Sequence, residues 1–146
     1  MAEIRTQIDI NAPVDKVFNT ILNFADYPRW NPLIPKATGS PYVGSPVTIS
    51  LATPLGLNLD VDVEIRKNDR LKEFRWVGHA PLLPALFSGD HYYRFESLSE
   101  DKTRFVHGEI FEGWIEPLVG GLIEDQLTPL YVDMNMALKK FCESGR

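Results

Sequence analysis

The sequence contains a single cysteine, Cys142, which excludes an internal disulfide and points to a reducing compartment. There are only three histidines, His79, His91 and His107, and no Cys and His pairs stand at the spacing of a structural zinc site. No apolar run approaches the roughly 18 residues of a membrane span, and Met1-Ala2-Glu3-Ile4-Arg5 has no basic stretch leading into an apolar one. The expected location is the cytoplasm. Positive charge is in deficit as well: 15 Lys and Arg against 20 Asp and Glu leave a net charge of −5. That balance opposes binding to nucleic acid or to an anionic lipid surface. A Gly-rich phosphate loop, a Gly-x-Ser-x-Gly nucleophile elbow and a His-Glu-x-x-His metal motif are all missing.

What remains is an ordinary globular composition. The 146 residues are 44% hydrophobic, 11% aromatic and 24% charged, which predicts one compact domain spanning residues 1–146. Ile4, Thr6, Ile8 and Ile10 alternate with Arg5, Gln7 and Asp9, the pattern of a half-buried strand. Asn11 stands where a helix N-cap would, and Val14, Val17, Phe18, Ile21 and Leu22 form an apolar stripe, predicting a helix from Pro13 to Phe24. Two prolines in Tyr27-Pro28-Arg29-Trp30-Asn31-Pro32 allow only a short turn. From Pro46 to Val77 alternation returns in three runs, broken by turns at Thr53–Gly56 and Lys67–Arg70, which predicts an antiparallel meander. The segment Ala80–Phe87 is rich in Pro and Leu and cannot be a regular strand. Strands His91–Leu98 and Thr103–Phe111 flank the polar turn Ser99–Lys102. Residues Glu116 to Glu143 place Leu118, Leu122, Leu130, Met134, Leu138 and Phe141 near one helical stripe, with Pro129 expected to kink or split the helix.

A strand, a helix, five or six antiparallel strands and a long terminal helix describe an α+β domain. This order resembles the START-like helix-grip (SRPBCC) superfamily, and in particular its polyketide cyclase/dehydrase and lipid-transport group. The resemblance rests on Ala12–Phe18, Tyr27–Pro32, Gly89–Glu96, and Thr103–Phe105 running through Glu109 to Phe111 and Gly113, and it covers essentially the whole chain. It implies a curved antiparallel sheet wrapped around the C-terminal helix, enclosing a largely apolar cavity with the Pro-rich loop near its mouth. It does not choose between binding and catalysis, because the group contains both.

Period-two alternation then decides which polar groups face inward. His91, Tyr93 and Phe95 share one face, as do Phe105, His107, Glu109 and Phe111, and the phenylalanines are best buried. Pairing across the turn sets Tyr93 near His107 and His91 near Glu109, with a shift of two residues equally allowed. A histidine beside a carboxylate in an apolar interior can be a satisfied structural pair, a polar anchor for a ligand or, with Tyr93, a general acid–base site. Trp30, Trp76 and Trp114 could wall a cavity for a flat ligand; Tyr131 and Met134 on the terminal helix could add to its lining. Arg75 is expected on the solvated face of its strand, Arg29 in a surface ion pair, and Cys142 at a frayed chain end. His79 is expected in a loop, which disfavours a metal site, and no cofactor is implied.

The function these features favour is uptake of a hydrophobic small molecule, aromatic, polyketide-like or lipid-like. One alternative is a cyclase or dehydratase in which Glu109 moves protons with His91 or Tyr93. Another is an interaction module that presents Leu82–Phe87 to a partner.

Overall fold

The computed structural model describes residues 2–79, 88–113 and 116–144, with 116–120 described by backbone alone. The first strand, β1 (Ala2–Ile10), pairs antiparallel with the last, β7 (Lys102–Glu112), placing Thr6 opposite His107 and Ile4 opposite Glu109. Between them the sheet is built from β2 (Lys36–Gly39), β3 (Pro46–Ala52), β4 (Asn58–Asp69), β5 (Glu73–His79) and β6 (Ser88–Ser99). The seven strands run in the order β1-β7-β6-β5-β4-β3-β2, and every adjacent pair is antiparallel. From β2 to β7 consecutive strands are therefore neighbours, while β1 and β2 form opposite edges of the sheet and β1 pairs with β7.

The inward faces follow the alternation. Ile4, Ile10, Val47, Ile49, Val63, Ile65, Phe74, Trp76, Phe95 and Phe105 form one buried cluster with Phe18 and Ile21 of α1 (Val14–Leu22). Helix α1 is shorter than its sequence pattern. It starts after Pro13 with no side-chain cap and gives way to a single 3-10 turn at Phe24–Asp26. Asn11 does not cap it; the Asn11 backbone N–H instead donates to Glu143 Oε2 at 2.7 Å. The short helix α2 (Tyr27–Trp30) follows, and Asn31 Oδ1 then accepts from the backbone N–H groups of Leu33 and Ile34 at 3.0 and 2.8 Å. Strand β2 has no pattern that alternation could find, since only Ala37 among its four residues is buried.

The closing helix α3 (Glu116–Glu143) is continuous through Pro129. Pro129 lies on the exposed side, where the carbonyl it leaves unpaired meets solvent. The buried seam runs through Ile123, Leu127, Tyr131, Met134, Leu138 and Cys142, not through Leu122, which is 63% exposed. Cys142 is thus a core residue, 1% exposed, and burial pushes its thiol above the ordinary range. Arg75 is not solvated either: it bonds Asp90 at 2.7 Å and Glu73 at 2.8 Å on the outer face of the sheet. Arg29 does pair at the surface, with Asp26 at 3.4 Å. His79 is the last residue of β5 and not a loop residue.

Candidate ligand cavity and its buried proton relay

Between the inner face of the sheet and α3 lies a cavity of about 290 Å³. Strands β3 and β4 supply an apolar wall from Ile49, Leu51, Leu59, Val61 and Val63; β5 adds Trp76, β7 adds Phe111 and α3 adds Leu127. Leu59 and His79, both exposed, stand at its rim. Apart from His79 and its strand partner Ser88, the polar side chains of the lining come together at one place, where His91 of β6, Glu109 of β7 and Tyr131 of α3 meet.

The register that brings them there is one of the two that alternation allows: His91 pairs with Glu109 and Tyr93 with His107. Four rings, those of His91, Tyr93, His107 and Tyr131, gather into a near-parallel stack. His91 and Tyr131 have centroids 5.2 Å apart with planes 16° apart, and His107 and Tyr131 lie 4.6 Å apart at 23°. His91 Nδ1 lies 3.3 Å from Glu109 Oε1, and the Tyr131 hydroxyl donates to the same oxygen. On its far side His91 Nε2 contacts His107 Nε2 at 2.7 Å, and His107 Nδ1 contacts Asn135 Oδ1 at 2.8 Å. Asn135 Nδ2 donates to Thr6 Oγ1 at 2.8 Å, and the Thr6 hydroxyl donates to the His107 carbonyl at 2.7 Å. An unbroken chain of polar contacts thus runs from the cavity wall into the core between β1, β7 and α3.

Burial sets the electrostatics of this chain. His107 is fully enclosed, and burial together with the neighbouring charge of His91 holds its pKa well below the ordinary histidine value, against the opposing pull of Asn135. Burial, with Glu109 close by, pushes the Tyr131 and Tyr93 hydroxyls well above the ordinary tyrosine range. Gly89 leaves room for the carboxylate: a Cβ there would collide with Glu109 Oε2.

Of the side chains singled out in the sequence, Trp76, His91, Glu109, Phe111 and Tyr131 line the cavity. Tyr93 and His107 lie behind this wall, sealed by the same ring stack. Met134 is likewise enclosed in the core. Trp30 stands apart, stacked on Phe141 with centroids 6.0 Å apart. Trp114 and the segment 80–87 lie outside the described residues. Sequence reasoning missed Thr6 and Asn135 as partners of the histidines, although each is a polar residue on an otherwise apolar inward stripe. It also missed Gly78 and Gly89, whose lack of side chains opens the floor of the cavity. Among the described residues no group of three His, Cys, Asp or Glu could hold a metal ion.

The Tyr93 hydroxyl has no hydrogen-bond partner among the described residues although it is fully buried. An unpaired buried hydroxyl costs about 1–3 kcal/mol. Tyr93→Phe is therefore expected to raise the melting temperature by about 3 °C and to leave ligand affinity unchanged, as calorimetry and a binding titration would show.

A curved seven-stranded antiparallel sheet gripping a long C-terminal helix is the START-like helix-grip fold. Over residues 1–143 the sequence matches the family described as polyketide cyclase / dehydrase and lipid transport, and the chain belongs to that family. Solved structures share the fold at low identity. A START superfamily protein from Mycobacterium smegmatis aligns over 100% of both chains with a TM-score of 0.82 and 14% identity. The Zhui aromatase/cyclase from Streptomyces sp. R1128 covers 97% of this chain and 93% of its own, with a TM-score of 0.76 and 13% identity. The Aha1 dimer from Colwellia psychrerythraea covers 100% of this chain and 99% of its own, with a TM-score of 0.72 and 14% identity. At such identities the likeness concerns the fold alone. Comparison with curated proteins gave no match.

Proposed function

We propose that this protein takes up a small hydrophobic molecule in the cavity, with the molecule's polar end against Glu109, Tyr131 and His91 and its apolar body against Trp76 and the β3 and β4 wall. The observation that carries this reading is the contrast within one cavity: a mostly apolar lining in which, apart from His79 and Ser88, the polar side chains gather at a single point. Such a distribution orients a ligand, since apolar contact supplies affinity and a few polar groups fix direction. The volume lies at the small end of the roughly 300–1,000 Å³ usual for ligand sites, which favours a compact ring system over a two-chain lipid.

A thermal-shift screen of compact aromatic compounds tests it. A ligand at 100 times its dissociation constant stabilises by about 2.7 kcal/mol, a rise of several degrees in melting temperature. Val61→Trp places an indole into the cavity and is expected to abolish the shift while the fold persists. A shift that survives this substitution would place the ligand elsewhere.

A second reading, acid–base turnover of a polyketide-like substrate, is supported by the 3.3 Å approach of His91 to Glu109 at the cavity wall. Under it Glu109→Gln would abolish turnover and leave affinity nearly intact; equal loss of both would leave binding alone.

A further inference from the structure

The relay behind the cavity dictates where protons sit. The His107 carbonyl oxygen can only accept, so the Thr6 hydroxyl, 2.7 Å away, commits its one proton there. Thr6 Oγ1 must then accept from the Asn135 amide, which turns Asn135 Oδ1 toward His107 Nδ1. That nitrogen therefore carries a proton. Enclosure keeps the His107 imidazole neutral, so its Nε2 is a lone pair, and the 2.7 Å contact takes its proton from His91 Nε2. What is left on His91 is Nδ1, facing a Glu109 oxygen that already accepts from Tyr131. A lone pair opposed to a carboxylate oxygen in a buried site would repel, and one proton between them removes the repulsion.

We propose that Thr6, Asn135 and His107 are positioning residues that oblige the His91 and Glu109 pair to hold one shared proton, making the polar end of the cavity neutral overall and selective for uncharged hydroxyl-bearing ligands, phenols or alcohols, over carboxylates. This rests on the binding reading above. Glu109 Oε2 has no hydrogen-bond partner among the described residues and lies over Gly89 in the cavity lining, so it can accept from a ligand hydroxyl. A ligand carboxylate finds no cation: no Lys or Arg lies among the described lining residues, and His79 sits out at the rim. The other titratable groups facing the pair are Tyr93 of β6, His107 of β7 and Tyr131 of α3, all uncharged near neutrality. Sequestering an unpaired carboxylate there carries a large desolvation penalty.

The test has two arms. In the first, protein with isotope-labelled histidine is examined by long-range proton–nitrogen correlation near neutral pH, where each ring nitrogen reports its own protonation. His107 is expected to be protonated at Nδ1 only and His91 at Nε2. In Thr6→Val, which frees the Asn135 amide to turn, the His107 tautomers are expected to become mixed, a change that mere packing would not produce. His107 protonated at Nε2 in the unaltered protein, or tautomers unmoved in Thr6→Val, would overturn the relay. In the second arm a naphthol and its naphthoate analogue are titrated calorimetrically. The naphthol is expected to bind tighter by about tenfold or more. Equal or tighter binding of the naphthoate would overturn the ligand class alone, whereas failure of both probes would overturn the ligand class and the binding reading together.

Discussion

Alanine in place of Gly108 is expected to lower the melting temperature by roughly 10 °C. Gly108 sits in β7 between Arg5 of β1 and Tyr92 of β6, and its missing side chain is space already occupied. A Cβ there would drive into the backbone oxygen of Ile4 and into the hydroxyl end of Tyr92. Neither can retreat. The oxygen belongs to the ladder that joins the first and last strands, and the Tyr92 ring is fully buried, with the Arg94 guanidinium 4.3 Å and the Arg75 guanidinium 5.2 Å from its centroid. Its hydroxyl also donates to Glu3 Oε2 at 2.6 Å. Overpacking against two fixed neighbours costs about 3 kcal/mol or more, which gives the stated shift for a chain of this size. Thermal unfolding measures it directly. Adding Tyr92→Ala to Gly108→Ala is expected to recover only part of the loss, since the clash with Ile4 remains; a near-normal melting temperature in the single variant would mean that the ring swings out freely.

Gly89→Ala is expected to act on binding and not on the fold. Its Cβ meets only the end of the Glu109 side chain, a group that can rotate aside while the sheet stays intact. Rotation would carry the carboxylate away from His91 Nδ1 and from the Tyr131 hydroxyl. A hydrogen bond to a charged group is worth about 1.5–3 kcal/mol, so affinity for a hydroxyl-bearing aromatic should fall by about 30-fold with little change in melting temperature. Unchanged affinity by calorimetry would remove Glu109 from the anchoring role proposed for it.

Much of this architecture was readable because a sheet obeys a period of two. The inward phenylalanines of β6 and β7 and the polar turn at Ser99–Lys102 allowed His91 opposite Glu109 or a register shifted by two residues, and the first is the register found. Alternation, however, assigns a face and says nothing of depth along it. Tyr93 and His107 share the inward face with His91 and Glu109, yet α3 crosses the sheet so that only the latter pair reaches the hollow. Depth depends on where the helix lies: Met134 and Leu138 of the expected stripe are buried, but toward the cavity the seam follows Ile123, Leu127 and Tyr131 and not the exposed Leu122 through which the stripe was drawn. Trp30 was offered as an aromatic wall for a flat ligand, but it packs on Tyr27 of its own short helix and on Phe141 of α3, the latter a contact made across distant parts of the chain. Asn135 could have been suspected from being amide-bearing beside Met134 and Leu138, but its partner Thr6 lies 129 residues away, beyond any local pattern.

That separation bears on assembly. Asn135 is made 129 residues after Thr6, and the ladder joining β1 to β7 likewise closes a long span of chain. Contacts so remote in sequence form slowly, because the entropy of closing the intervening segment opposes them until other structure has shortened it. A nascent chain still lacking its closing helix would hold both histidines without the amide that orients them. The ligand preference proposed above would therefore be acquired late, once the closing helix has docked.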